Sequence, residues 1–192
     1  MTMIYQTVLI KIILTVLIVY YILPIIYKEV VLFRFRHYAR RENLLFLTFD
    51  DGPNPESTLE ILGLLKKENV KAIFFMLGKN VEKYPEIIKK VVDDNHIIGD
   101  HTYYHYHPWR VNPIIYIKDL IKGNNVIKKY SNKEVKLFRP PYGKINLITI
   151  IYLLIFRKKL FFLNKKQKEK KKRREKEIVE FIINSKNKES IK

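Results

Sequence analysis

Cysteine is absent from the 192-residue chain. That excludes disulfide bonds and any metal site built on thiolates, and it removes thiols as a guide to redox compartment. No small-x-small cleavage motif follows the amino-terminal apolar run, which argues against a cleaved signal peptide. Histidine ends at His107 and tryptophan at Trp109. No aromatic residue interrupts the lysine-rich stretch between Asn164 and Glu180, which disfavours base stacking and hence a nucleic-acid partner. Acidic residues are few, 19 against 37 Lys and Arg, for a net charge of +18. The excess is uneven: residues 157–176 hold 12 basic side chains against 2 acidic ones. Basicity is therefore largely a property of a tail, not a field spread over the fold.

What the chain does have is length for one domain plus appendages and 47% hydrophobic residues, enough for a core. Residues 4–27 are almost wholly apolar, broken only by Gln6, Thr7, Lys11 and Thr15. A bilayer needs about 20 apolar residues in a helix, so this run reads as a membrane anchor over residues 1–27, with a signal peptide or a buried core helix as alternatives. Pro24 falls near its far end, where membrane helices tolerate proline. Residues 28–41 read as a basic juxtamembrane linker suited to anionic lipid. Lys28, Arg34, Arg36, Arg40 and Arg41 follow the span while only Lys11 and the amino terminus precede it. By the positive-inside rule, this charge balance puts the rest of the chain in the cytoplasm.

From residue 44 the pattern alternates. Leu44–Phe49, Val70–Leu77, Ile97–Gly99 and Val135–Phe138 read as strands. Pro55–Lys67, Val81–Asp94, Asn112–Tyr130 and Lys144–Phe156 read as helices. A further strand is expected within Arg157–Leu163. Strands alternating with helices imply parallel βαβ units and an α/β fold, whose sites form at the carboxyl ends of strands.

Three polar clusters fall at such ends. Thr48-Phe49-Asp50-Asp51-Gly52-Pro53 sets two adjacent carboxylates at a strand-to-turn junction. Two close carboxylates ionise together only if a cation neutralises one or their environments differ, so a metal ligand beside a base satisfies the pair. His101-Thr102-Tyr103-Tyr104-His105 holds two imidazoles four residues apart, a spacing that in a helical turn puts both on one face. Two His and one Asp suit Zn²⁺ or a similar divalent ion. Phe138-Arg139-Pro140-Pro141-Tyr142-Gly143 is the third cluster. Tyr103, Tyr104, Tyr106 and Trp109 are equally suited to sugar stacking and to local core.

The three clusters, in this order, resemble the polysaccharide deacetylase family, the NodB-homology or carbohydrate esterase family 4 type, over roughly residues 42–150. The resemblance implies a distorted (β/α) barrel, here incomplete at its carboxy-terminal end and preceded by one transmembrane helix. It implies metal-dependent N-deacetylation of an N-acetylated glycan such as a chitin-like oligomer or peptidoglycan. Asp50 would be the general base. Asp51, His101 and His105 would hold the metal, Zn²⁺ or Co²⁺. Arg139 would orient Asp50, and the Tyr142 backbone amide would stabilise the oxyanion. It also implies a domain outside the cytoplasm, against the flanking charges.

The resemblance breaks after residue 163. The family continues with an Asp-Trp-like element and a Leu-x-His whose imidazole is the general acid. This chain continues with Lys, Arg and Glu. The division expected is therefore anchor 1–27, linker 28–41, partial deacetylase domain 42–163 and basic tail 164–192, from a truncated, frame-altered or degenerate gene. The alternative reading is a membrane-anchored, non-catalytic metal- or glycan-binding remnant. A third is a membrane-surface or nucleic-acid binder using the lysine tract.

Overall fold

A computed structural model describes residues 2–41 and 46–162. Helix α1, Thr2–Arg41, is continuous, so residues 28–41 extend the apolar helix instead of forming a separate irregular linker. Residues 3–19 are exposed all round. From Tyr20 onward one stripe is covered: Tyr20, Pro24, Tyr27, Lys28, Val31, Leu32 and Phe35 are buried or half-buried. They form two adjacent rows, Tyr20, Pro24, Tyr27 and Val31 beside Lys28, Leu32 and Phe35, each at alternating steps of four and three, the signature of one helix face against a body.

The body is a five-stranded parallel sheet: β1 (Thr48–Gly52), β2 (Ile73–Met76), β3 (Ile97–Asp100), β4 (Leu137–Phe138) and β5 (Lys159–Leu160), paired in sequence order. An order that never reverses lets every right-handed crossover return on the same side. The helices obey it. Phe49, Phe74, Met76 and Ile98 pack with residues of α2 (Ser57–Lys67), α3 (Gly78–Lys83), α4 (Pro85–Asp93) and α5 (Pro113–Ser131). Tyr116, Leu120 and Phe138 pack with Tyr152 and Leu153 of α6 (Leu147–Ile155). Alternate strand residues face the other way. There Ile73, Phe75 and Leu137 meet Phe161, Phe46 and, from α1, Phe35.

Several boundaries differ from the sequence expectation, each for a local reason. The helix expected over Val81–Asp94 is two, because Pro85 disfavours helical geometry at Tyr84, which takes φ −131° and ψ 60°. The second strand begins only at Ile73, since Asn69 is left-handed and Val70 N–H still donates to Leu65 O at 2.9 Å. The helix expected from Lys144 starts at Leu147, capped by Asn146, whose side chain accepts from Thr149 N at 2.9 Å. The segment 42–45 and the tail from 163 lie outside the described residues.

Two glycines set the spacing beneath the second motif. A Cβ on Gly123 of α5 would lie 2.6 Å from the Thr102 carbonyl carbon, and one on Gly78 of α3 would lie 2.9 Å from Gly123 Cα. Backbone cannot yield as a side chain tip can, so Gly123→Ala is expected to cost ~3 kcal/mol or more. Gly63→Ala, on the exposed side of α2 with nothing within 4 Å of the new methyl, should instead stabilise by about 1 kcal/mol. Urea denaturation of the two variants reads both signs.

Candidate active site

Strand β1 carries the two carboxylates, and a bulge separates their directions. The register with β2 shifts between Asp50 and Gly52, and Asp51 is left-handed at φ 67°. A bulge re-aims a side chain that strict alternation would send to the opposite face. The Asp51 backbone is fixed by Asn80, whose side-chain amide donates to Asp51 O at 2.7 Å.

The Asp51 carboxylate reaches both imidazoles of the second motif. Its Oδ1 lies 3.4 Å from His101 Nε2 and 3.4 Å from His105 Nε2. One ligand-capable atom from each of the three residues falls within 4.8 Å of the others. His101 is buried, and its Nδ1 lies 2.6 Å from the Arg139 carbonyl. That carbonyl can only accept, so Nδ1 donates to it and Nε2 is the ring nitrogen turned toward Asp51. A second hydrogen bond of this kind is how metal-ligating imidazoles are usually held. The donor set, one carboxylate and two imidazoles, fits a divalent ion.

The segment between the histidines is not the helical turn that their spacing suggested. Thr102 and His105 are both left-handed, at φ 69° and 67°. The loop is instead pinned from several sides. Asp100 Oδ1 accepts from Thr102 N at 2.8 Å, Thr102 Oγ1 from His105 N at 3.1 Å, and Asp119 Oδ1 from Tyr104 N at 2.9 Å. Asp119 was not anticipated. Its signal was an acidic residue on the apolar face of α5, between Tyr116 and Gly123.

Asp50 points elsewhere, to Arg139. The Arg139 Nη1 donates to Asp50 Oδ1 at 2.5 Å and to Thr48 Oγ1 at 3.0 Å. The guanidinium is 2% exposed and lies over Phe75, 4.1 Å from the ring centre. Burial draws its pKa below the ordinary value, and Asp50 opposes that. Its Nε and Nη2 find no partner among the described residues. Tyr142 is left-handed at φ 57° and 60% exposed, its ring 4.8 Å from His105 and 5.0 Å from His107.

The aromatic residues divide. Tyr103 is core, bonded to Glu82 and under Lys122, while Tyr104 and Tyr106 are exposed. His107 stands outside the three-residue cluster, and burial lowers its pKa, aided by Arg110 and Lys144. His96 sits at the opposite end of the strands against Phe74, accepting from Ala72 N at 3.3 Å, with its pKa lowered chiefly by burial.

Burial pushes the Asp100 carboxyl up to about 7, against the Thr102 amide, Lys158 and His101, which pull it down. A carboxyl raised on folding stabilises the fold fully below its unfolded pKa near 4 and loses that contribution as pH rises through about 7. For metal-free chain the expected loss between pH 4 and pH 8 is about 4 kcal/mol. Asp100→Asn keeps the acceptor for Thr102 and should remove that slope, read by urea denaturation across the range.

A family model described as polysaccharide deacetylase matches residues 37–153. A peptidoglycan-N-acetylglucosamine deacetylase of Bacillus cereus is 46% identical over 99 residues, covering 52% of this chain and 36% of that protein. The solved structure of the peptidoglycan deacetylase PdaC from Bacillus subtilis aligns with a TM-score of 0.59 and 32% identity, over 65% of this chain and 62% of that one. A CE4 family pseudoenzyme from Bacillus anthracis aligns at 0.56 and 30% identity, over 60% and 41%. The chain thus spans about a third of the length of the Bacillus cereus protein.

Proposed function

The chain belongs to the polysaccharide deacetylase family, and on that premise we propose that it hydrolyses the N-acetyl group of a peptidoglycan-type glycan with one divalent ion held by Asp51, His101 and His105. The observation that carries this is the convergence of those three ligand atoms within 4.8 Å at the carboxyl ends of β1 and β3. The relatives, named as peptidoglycan deacetylases, support this choice of substrate class. Zn²⁺ suits the donor set, with Co²⁺ a close substitute. When bound, such an ion polarises an amide carbonyl and lowers the pKa of water.

In this reading Asp50 takes a proton from the attacking water. Arg139, bonded to the Asp50 carboxylate, fixes its direction. The backbone amide of Tyr142 supports the developing oxyanion. The departing amine needs a proton, and a positioned acid that supplies one contributes about 10²–10⁴ in rate. The sheet is the first part of a NodB-type barrel, with α1 as a single-pass anchor. The domain faces outward, on the side of the membrane where peptidoglycan lies.

The second reading is a metal-holding, non-catalytic protein. It is favoured by the likeness to a CE4 family pseudoenzyme of Bacillus anthracis at 30% identity. Acetate release from N-acetylglucosamine oligomers and from peptidoglycan, with Zn²⁺ or Co²⁺ supplied, separates the two. Release that disappears in Asp50→Asn supports the enzyme. Stoichiometric metal with no release supports the binder.

A further inference from the structure

The covered and uncovered parts of α1 meet at Tyr20. Residues 3–19, exposed and apolar, make about 26 Å of helix, close to the ~30 Å hydrocarbon core of a bilayer. At the boundary, Tyr20 and Tyr21 pack on Trp109 with ring centres 5.7 and 5.3 Å apart, and the Tyr21 and Trp109 planes are within 18° of parallel. Tyr and Trp are the residues that settle at the level of lipid headgroups, apolar body inward and polar tip outward. Here they come from two distant parts of the chain and stand side by side.

Two further observations tie this belt to the catalytic rim. Two turns beyond Tyr21, Lys28 Nζ donates to Gly143 O at 3.0 Å, next to Tyr142. Trp109 is four residues from His105, which limits their separation to about 14 Å. Arg110 and Lys144, whose charges both act on His107, are exposed, a charge complement to anionic headgroups.

We propose that the rim of the active site rests on the bilayer surface, with Tyr20, Tyr21 and Trp109 at the headgroup level. The glycan it takes is then one lying at the membrane surface. This rests on the reading of α1 as a membrane span and holds for either orientation of the chain.

Trp109 is the chain's one tryptophan, so its fluorescence reports this contact alone. The test uses the full chain in vesicles of phosphatidylcholine and phosphatidylglycerol, with lipids brominated near the headgroup or near the chain end. The expected result is blue-shifted emission and roughly twofold quenching by the shallow bromines, with weaker quenching by the deep ones. Acrylamide quenching should rise when Tyr20 and Tyr21 are both replaced by alanine. Water-like emission untouched by either brominated lipid, in chain that still floats with the vesicles, overturns the proposal. Chain that does not float overturns the span on which it rests. Neither outcome depends on acetate release, so failure here is separate from failure of the deacetylase reading.

Discussion

Asp51→Asn is expected to lower the affinity for Zn²⁺ by more than ~100-fold, the loss that removing even an outer-shell partner can reach, while leaving the fold intact. Asparagine is the informative replacement. Asp51 is left-handed at φ 67°, a conformation asparagine adopts with little strain and alanine does not. The side chain is half exposed, so its exchange should change stability by no more than about 0.5 kcal/mol. What asparagine cannot supply is the anionic oxygen that lies 3.4 Å from both imidazole nitrogens. Titration calorimetry gives the affinity and urea denaturation of metal-free protein gives the stability. Unchanged zinc affinity in Asp51→Asn would separate this carboxylate from the metal.

Arg139→Met is expected to destabilise by about 3–5 kcal/mol, the cost of leaving one member of a buried ion pair without the other. Both side chains are buried, at 3% and 8% exposure, so water cannot replace the lost partner. Methionine keeps apolar contact with Phe75 and Phe161, over which the guanidinium lies, which confines most of the loss to the charge. Restoring neutrality with Asp50→Asn in the same chain should recover a large part of it, and the double-mutant cycle isolates the pair. Arg139→Lys should not rescue. A single ammonium cannot present the planar fork that reaches Asp50 and Thr48 together while lying flat on Phe75. The carbonyl of Arg139 also positions His101 Nδ1, so a variant that loosens this segment should weaken zinc binding as well. Urea midpoints for the four chains of the cycle, with zinc affinities beside them, test the whole set.

The grouping of the candidate site residues was legible in the sequence further than the backbone that positions them. Asp50, Asp51, His101, His105 and Arg139 were marked by residue type at strand ends, and the structure brings Asp51 to both histidines and Arg139 to Asp50. The means were hidden. The bulge that separates Asp50 from Asp51 depends on pairing with β2, some 25 residues away in sequence. The loop between the histidines is held by Asp119, Thr102 and Asp100, where i, i+4 spacing suggested a helical turn. Period and spacing encode local geometry. They carry no record of which distant side chain will pin a loop.

The same limit explains α1. Its apolar length was evident, yet a stripe drawn from both the apolar run and the basic stretch packs on the body, with Leu32 beside Ile145, Ile150 and Phe162. Charge at Arg34, Arg36, Arg40 and Arg41 drew attention to lipid and away from the residues between them. Phe35 completes the inner face of the sheet with Phe46 and Phe161, a tertiary role that a single amphipathic pattern does not reveal.

X-ray absorption of the zinc-loaded chain tests the central claim most directly, because it counts the metal and identifies its ligands at once. One zinc per chain, with scattering from two imidazoles and the remaining shell of oxygen, is the expected result. Folded chain that holds no stoichiometric zinc, or zinc without imidazole scattering, would contradict it.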